Sequence, residues 1–498
     1  MVLVISVLAP LVLRPCYGSG VCADLSRLDS LYAEAEFALI VSELGELPWD
    51  GLTADQQMLL LECQARTGNG YTALRKLEEI RIGHRDSAAR DGTAAAVALS
   101  IGRFRLADSL ADCALIRDPG NLRARLTKAM LLQYSRRSSL ARDLILEILK
   151  IDKAFTERFL VYEIAHEVLS AAGHWGALSE LCGLLARRYA HDGNLPAAGN
   201  ALRDSAMYAG MTGNVFYVAE ASEDLIELPL VDLPTRSWRK CVLLNMEGES
   251  YRVLIDTGNE AGWTVCHTDL RKCLVSRRGA NIPLSSGAIL RNLTGYRIAT
   301  DSLNLGSVVI RNALGVSFQK PDGEFYDANL NPFFIRNRVV TIDYVGSRLI
   351  FRTKDRFESD IAADSSEVTR VPCYGYRSPL VPVTMNDSLS AIALIETGAA
   401  DISIHADFAA HFGVSLQAAG SSDSPQSAPL PFSMDVGGAV FERAGAHVRR
   451  ARFKDEITGL SYDIMIGSGA FDRKYIISFD PFDRTFILQK PPIGDGRR

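Results

Sequence analysis

Two short stretches set the terms for the whole chain: Val253-Leu254-Ile255-Asp256-Thr257-Gly258 and Ala393-Leu394-Ile395-Glu396-Thr397-Gly398. In each, an apolar run suited to a buried strand ends on a single carboxylate followed by Thr-Gly. A strand end delivers the carboxylate to a fixed place, and glycine lets the backbone turn tightly beside it. One Asp-Thr-Gly carries little information, because turns are rich in such residues. Two copies in matched surroundings carry far more.

The surroundings match on both sides. Upstream, an alternating run at 241–244 passes through the turn Glu247-Gly248-Glu249 into the first carboxylate strand. The run at 380–383 passes through Asn386-Asp387-Ser388 into the second. Downstream, 339–344 turns into 348–351, and 475–480 turns into 485–488. Asp256 lies 87 residues before Asp343, and Glu396 lies 84 before Asp480. The pattern predicts a tandem duplication of one β-unit.

These residues resemble retropepsin-like aspartic proteases, with two units in one chain as in the two-lobed pepsin arrangement. The resemblance spans residues 237–490, about half the chain. It implies an all-β, two-lobed acid-protease fold, with lobes at 237–353 and 371–490 and a linker at 354–370. Asp256 and Glu396 are then the catalytic residues, meeting where the lobes face each other. Thr257, Gly258, Thr397 and Gly398 form the supporting loops. A flap is implied at 281–295 with Ser285-Ser286-Gly287 at its tip, and its second-lobe counterpart at 420–425. The family's apolar-apolar-Gly step is present as Met465-Ile466-Gly467, whereas the first copy has Asn331 in place of the glycine. Glu396 stands where the family has Asp, and its extra methylene overshoots the site unless the loop retracts.

The activity implied is endopeptidase hydrolysis of peptide bonds. Two carboxylates facing one water share a single proton, since like charges so close cannot both ionise. The ionised partner takes a proton from water, while the protonated one polarises the scissile carbonyl. Such a dyad titrates as a unit, so neither role is assigned to Asp256 or Glu396 alone. The chemistry calls for no metal and no organic cofactor. The rival reading is a catalytically degenerate scaffold, whose cleft binds an extended peptide as an added strand without cutting it.

Residues 24–215 have a different character: Ala, Leu, Glu and Arg with apolar positions at helical spacing. Ala73, Ala107 and Ala141 are 34 apart, as are Leu77, Ala111 and Ile145. Gly68 and Gly102 stand five residues before the first two alanines. The period resembles the tetratricopeptide repeat, which implies an all-α solenoid of four to five helix pairs. Such an array recruits a protein partner or substrate on its concave face. Residues 216–236 form the extended linker to the β half.

At 498 residues the chain is long enough for two or three domains. A net charge of −5 gives no basic footprint, which argues against nucleic acid as a partner. Residues 2–13 are almost wholly apolar, so 1–23 is expected to be a signal peptide and the protein exported, periplasmic or secreted. That run is too short for a stable membrane span. Nine cysteines show no zinc-binding spacing, and the pairing of Cys266 with Cys273 stays open. His267 and His405, at similar offsets after the two loops, are expected at the surface.

Overall fold

The computed structural model describes residues 27–28, 31–32, 36–81, 87–151, 159–233, 236–286, 289–319, 326–364, 366–375, 377–411, 430–449, 460 and 462–491. The expected signal segment at 1–23 and the second expected hairpin tip at 420–425 lie outside the described residues. Helices fill the N-terminal part and strands the C-terminal part. Among the described residues, no helix is long and apolar enough to cross a membrane.

The 34-residue period reappears as helix starts. Ala54–Arg66, Ala88–Ser100 and Leu122–Tyr134 begin 34 residues apart, and so do Gly70–Arg81, Phe104–Arg117 and Ser138–Ile151. Phe159–Ala171, Trp175–His191 and Leu195–Ala209 continue the array at looser spacing. Ala73, Ala107 and Ala141 are fully buried, so a small side chain at this position lets neighbouring helices close on each other. Thr53 starts its helix with a capping box shared with Gln56, and Asn121 and Asn194 cap theirs.

At the turn inside each pair the backbone enters the left-handed region, with φ of 96° at Gly68 and 69° at Gly102. The third turn places Arg136 there instead, at φ 55°. An arginine is strained in that conformation, and its side chain provides the compensation. It donates to Gly375 O (3.3 Å) and Phe333 O (3.2 Å), and its guanidinium lies 3.9 Å from the centre of the Phe333 ring.

The two sequence repeats trace one topology. In the first, Arg236–Met246 pairs antiparallel with Glu249–Ile255, which runs parallel to Ala328–Leu330. That strand is antiparallel to Trp263–Val265, which is parallel to Val308–Phe318. In the second, Leu380–Met385, Leu389–Glu396, Ile464–Gly467, Ile402–His405 and Ala439–Arg449 make the same succession of pairings. The first copy belongs to a nine-stranded sheet, and the second closes into a barrel.

A six-stranded sheet joins the copies. The hairpins Val339–Asp343/Arg348–Arg352 and Ile476–Asp480/Thr485–Lys490 meet along Val340↔Phe479 to Asp343↔Ile476. Leu225–Pro229 flanks this sheet on one side and Glu367–Pro372 on the other. Segments expected as plain connections therefore carry structure. Residues 216–236 supply the strands Val218–Glu220, Leu225–Pro229 and Val231–Leu233. The polar stretch after Arg352 forms the helix Lys354–Ala363, whose buried Phe357 packs on Val339 and Ile487. One buried side chain in ten residues gives almost no periodic signal, which is why the sequence pattern missed it.

The array lies against the β half along its turns. Tyr71 donates its hydroxyl to Asp463 Oδ1 (2.7 Å) and its N–H to Asp407 Oδ2 (3.1 Å). Gly102 abuts Ile392, and Tyr134 O accepts from Gly375 N (2.9 Å). One apolar cluster runs from the helices into Leu380, Ile392, Leu394, Tyr462 and Met465.

Candidate active site: a carboxylate pair at two matched strand ends

Asp256 and Glu396 end equivalent strands, and the next residues lock those ends together. Thr257 N–H donates to Thr397 Oγ1 (2.9 Å), and Thr397 N–H donates to Thr257 Oγ1 (3.1 Å). Each hydroxyl then donates onward across the interface, Thr257 to Ile395 O (2.5 Å) and Thr397 to Ile255 O (2.9 Å). Both threonines are buried, so these four bonds are shielded from water and fix the loops against one another.

The carboxylates consequently face each other and are hydrogen-bonded. Gly258 N–H donates to Asp256 Oδ1 (3.0 Å), and Gly398 N–H donates to Glu396 Oε1 (3.1 Å). Both glycines sit in tight turns, closed by Asn259 N–H to Asp256 O (3.2 Å) and Ala399 N–H to Glu396 O (3.1 Å), and neither has a positive φ. The glycines are required there for space as well. A Cβ on Gly258 would lie 1.3 Å from Glu396 Oε2, and one on Gly398 would lie 2.5 Å from Asp256 Cγ. The difference shows where the extra methylene of Glu396 goes: it carries the carboxyl further onto the opposing glycine. Burial first, and then the neighbouring charge of Asp256, pushes the Glu396 carboxyl well above the usual carboxylate range.

Asn331, at the position that Gly467 has in the second copy, is buried, and both ends of its amide are bonded. Its Nδ2 donates to Thr257 O (2.9 Å), Asn259 O (3.1 Å) and Arg377 O (2.7 Å), while its Oδ1 accepts from Phe333 N (2.9 Å). The amide thus braces the Asp256 loop and caps the short helix Pro332–Phe334. In the second copy a Cβ on Gly467 would meet Ala400 C at 2.6 Å, so that position needs its glycine.

Asn329 is the site residue that sequence reasoning missed. It donates Nδ2 to Asp256 Oδ2 at 2.7 Å. Its orientation follows from a one-way chain: Thr264 hydroxyl to Asn259 Oδ1 (3.3 Å), then Asn259 Nδ2 to Asn329 Oδ1 (3.2 Å). Turning either amide round would oppose two acceptors. The equivalent residue in the second copy is Met465, which offers Glu396 no such donor. A polar residue inside the apolar strand Ala328–Leu330 was the available signal.

The two histidines cap the short helices that follow, their Nδ1 atoms accepting from Asp269 N (3.3 Å) and Asp407 N (3.2 Å). His405 is buried beneath the Gly68 turn of the array, which corrects its expected place at the surface. Cys266 and Cys273 are free thiols. The expected flap segment forms the hairpin Arg277–Ser286/Ile289–Leu305, with residues 287–288 of its tip outside the described residues. Among the described residues, Glu358, Asp480 and Asp483 cluster closely enough to share a cation, yet the Lys354 ammonium already pairs with all three.

No family model matches the chain, and no curated protein matches it. Among solved structures, those that match in shape include aspartic proteases and tetratricopeptide-repeat proteins. The aspartic proteinase from Irpex lacteus is 12% identical with a TM-score of 0.37, covering 55% of this chain and 99% of that one. A retropepsin-like aspartic protease from Rickettsia conorii is 20% identical with a TM-score of 0.20, covering 25% and 94%. A tetratricopeptide repeat protein from Parabacteroides merdae is 14% identical with a TM-score of 0.25, covering 38% and 72%. These are likenesses of shape over parts of the chain and carry no weight for the chemistry.

Proposed function

We propose that the β half is a two-lobed acid-protease fold and that the protein is an aspartic-type peptidase acting through Asp256 and Glu396. The observation that carries this reading is the reciprocal Thr257–Thr397 bonding, which sets two carboxyls face to face and hydrogen-bonded. The site is also asymmetric, which supports a division of labour. Asp256 accepts from donors on both oxygens, Gly258 N–H and Asn329 Nδ2, whereas the Glu396 carboxyl accepts from Gly398 N–H. Glu396, raised by burial, carries the shared proton. Asp256 then takes a proton from the attacking water, while the Glu396 proton polarises the scissile carbonyl. The helical array presents a surface for a protein partner or substrate.

The test is incubation of the full-length protein with a peptide library from acidic to neutral pH, read by mass spectrometry. Cleavage is expected, lost in Asp256→Asn and in Glu396→Ala and kept in Glu396→Asp. Full cleavage by Glu396→Ala at every pH would remove Glu396 from the mechanism. A wild-type protein that binds peptides and cuts none would favour the scaffold reading.

A further inference from the structure

We propose that Arg136 and Glu167, two side chains of the helical array, are positioning residues for the carboxylate pair: they hold Gly375 and Arg377 against the loops that carry Asp256 and Glu396. On the peptidase reading, turnover in the β half then depends on the array.

Gly68, Gly102, Gly173 and Gly193 take the left-handed position at turns of the array, with φ between 68° and 96°. The 34-residue period puts Arg136 at the equivalent place, at φ 55°, where glycine would be free of strain. A strained residue persists where its surroundings hold it, and such residues gather at working sites. Here the guanidinium supplies the hold: Nε donates to Gly375 O (3.3 Å) and Nη2 donates to Phe333 O (3.2 Å). The same turn binds Gly375 a second time, Tyr134 O accepting from its N–H (2.9 Å).

Two residues further along the chain, another helix takes over. Glu167 belongs to Phe159–Ala171 and is 1% exposed, and the forked Arg377 guanidinium lies against both of its oxygens. A buried carboxylate is costly unless it is paired, so the pair fixes Arg377 in place.

The opposite side of this segment meets both carboxylate loops. Arg377 O accepts from Asn331 Nδ2 (2.7 Å), the amide that also donates to Thr257 O (2.9 Å) and Asn259 O (3.1 Å) after Asp256. Phe333 N–H donates to Asn331 Oδ1 (2.9 Å), so Arg136 reaches the same amide from its other end through Phe333. Pro379 O accepts from the N–H of Ile395 (3.0 Å), the residue before Glu396. Ile395 O in turn takes the Thr257 hydroxyl (2.5 Å). Gly375, Arg377 and Pro379 therefore stand between the helices and both loops, joined to each by hydrogen bonds. A carboxylate pair tolerates displacement of only about half an ångström, so slack in this segment reaches the chemistry.

The test uses the full-length protein and two variants. Arg136→Gly deletes the guanidinium while giving the turn the residue its φ favours, so the array keeps its shape. Glu167→Gln keeps the volume of the side chain and removes its charge. The first readout is hydrogen exchange at Thr257 and Thr397, whose N–H groups are bonded across the two loops. Each variant should exchange there roughly two- to tenfold faster than wild type. The second is steady-state kinetics on a peptide that wild type cuts: kcat should fall at least about tenfold with KM little changed. Arg136→Lys and Glu167→Asp should recover part of both. A role confined to the turn predicts that Arg136→Gly leaves exchange and kcat at wild-type values, and that result overturns the proposal. Unchanged exchange at both threonines in Glu167→Gln does the same for Glu167. Faster exchange in both variants of a protein that cuts no peptide upholds the clamp and refutes the peptidase reading.

Discussion

Replacing Asn329 with leucine nearly preserves side-chain size while removing the donor 2.7 Å from Asp256 Oδ2. A hydrogen bond to a charged acceptor contributes about 1.5–3 kcal/mol. The sign follows from which form the donor stabilises. Asn329 favours the singly ionised pair, so without it the second proton binds more readily and the acidic limb of the rate profile moves up. Other groups bearing on the pair are Glu260, Tyr344 and Arg239, whose Nε donates to Gly398 O (2.9 Å); the substitution alters none of them chemically. The assay is kcat/KM against pH with a peptide substrate, with a melting curve to separate folding from catalysis. Leucine also leaves Asn259 Nδ2 without its partner at Asn329 Oδ1, so some loss of stability is expected, but loss of stability alone does not move a pH limb. An unchanged acidic limb in a folded, active Asn329→Leu protein would refute the role given to this amide.

Burial raises the Asp463 carboxyl to about 7, with Asp407 adding to the rise and Tyr71, Arg103 and the Ile392 N–H opposing it. A folded-state value above the unfolded one makes a contribution that is complete below about pH 4 and lost as pH rises through about 7. The wild-type melting temperature should therefore fall across that window, and Asp463→Asn should flatten the fall, as thermal denaturation at a series of pH values would show. Asn331→Gly gives the first copy the glycine that the second has at Gly467, yet strips the brace from three backbone carbonyls. It should cost at least about 2 kcal/mol in a denaturant titration, and an unchanged midpoint would contradict the brace.

The duplicated carboxylate stretches were legible because strand periodicity and turn chemistry are local, and one pattern seen twice suppresses chance. The helical period was legible for the same reason, through Ala73, Ala107 and Ala141. What escaped the sequence was relational. Nothing local says that Asn329 points at a carboxylate 73 residues away, or that Asn331 donates to carbonyls on two separate loops. The burial of His405 depends on a glycine turn more than 300 residues earlier. The helix Lys354–Ala363 was hidden because packing of one phenylalanine, together with ion pairs, holds it in place without an apolar stripe.

The bond from Tyr71 to Asp463 spans 392 residues of chain. A ribosome adding ~5–20 residues per second takes roughly 20–80 s to cover that distance. During this interval the helices can pair with one another, because their contacts are local and form fast. The apolar face that later receives Leu394 and Met465 stays uncovered until nearly the end of synthesis. The first β repeat waits as well, since its Thr257 partner at Thr397 emerges 140 residues later. The second β repeat therefore completes both the carboxylate pair and the seat of the array, so a nascent chain interrupted before it has neither assembled.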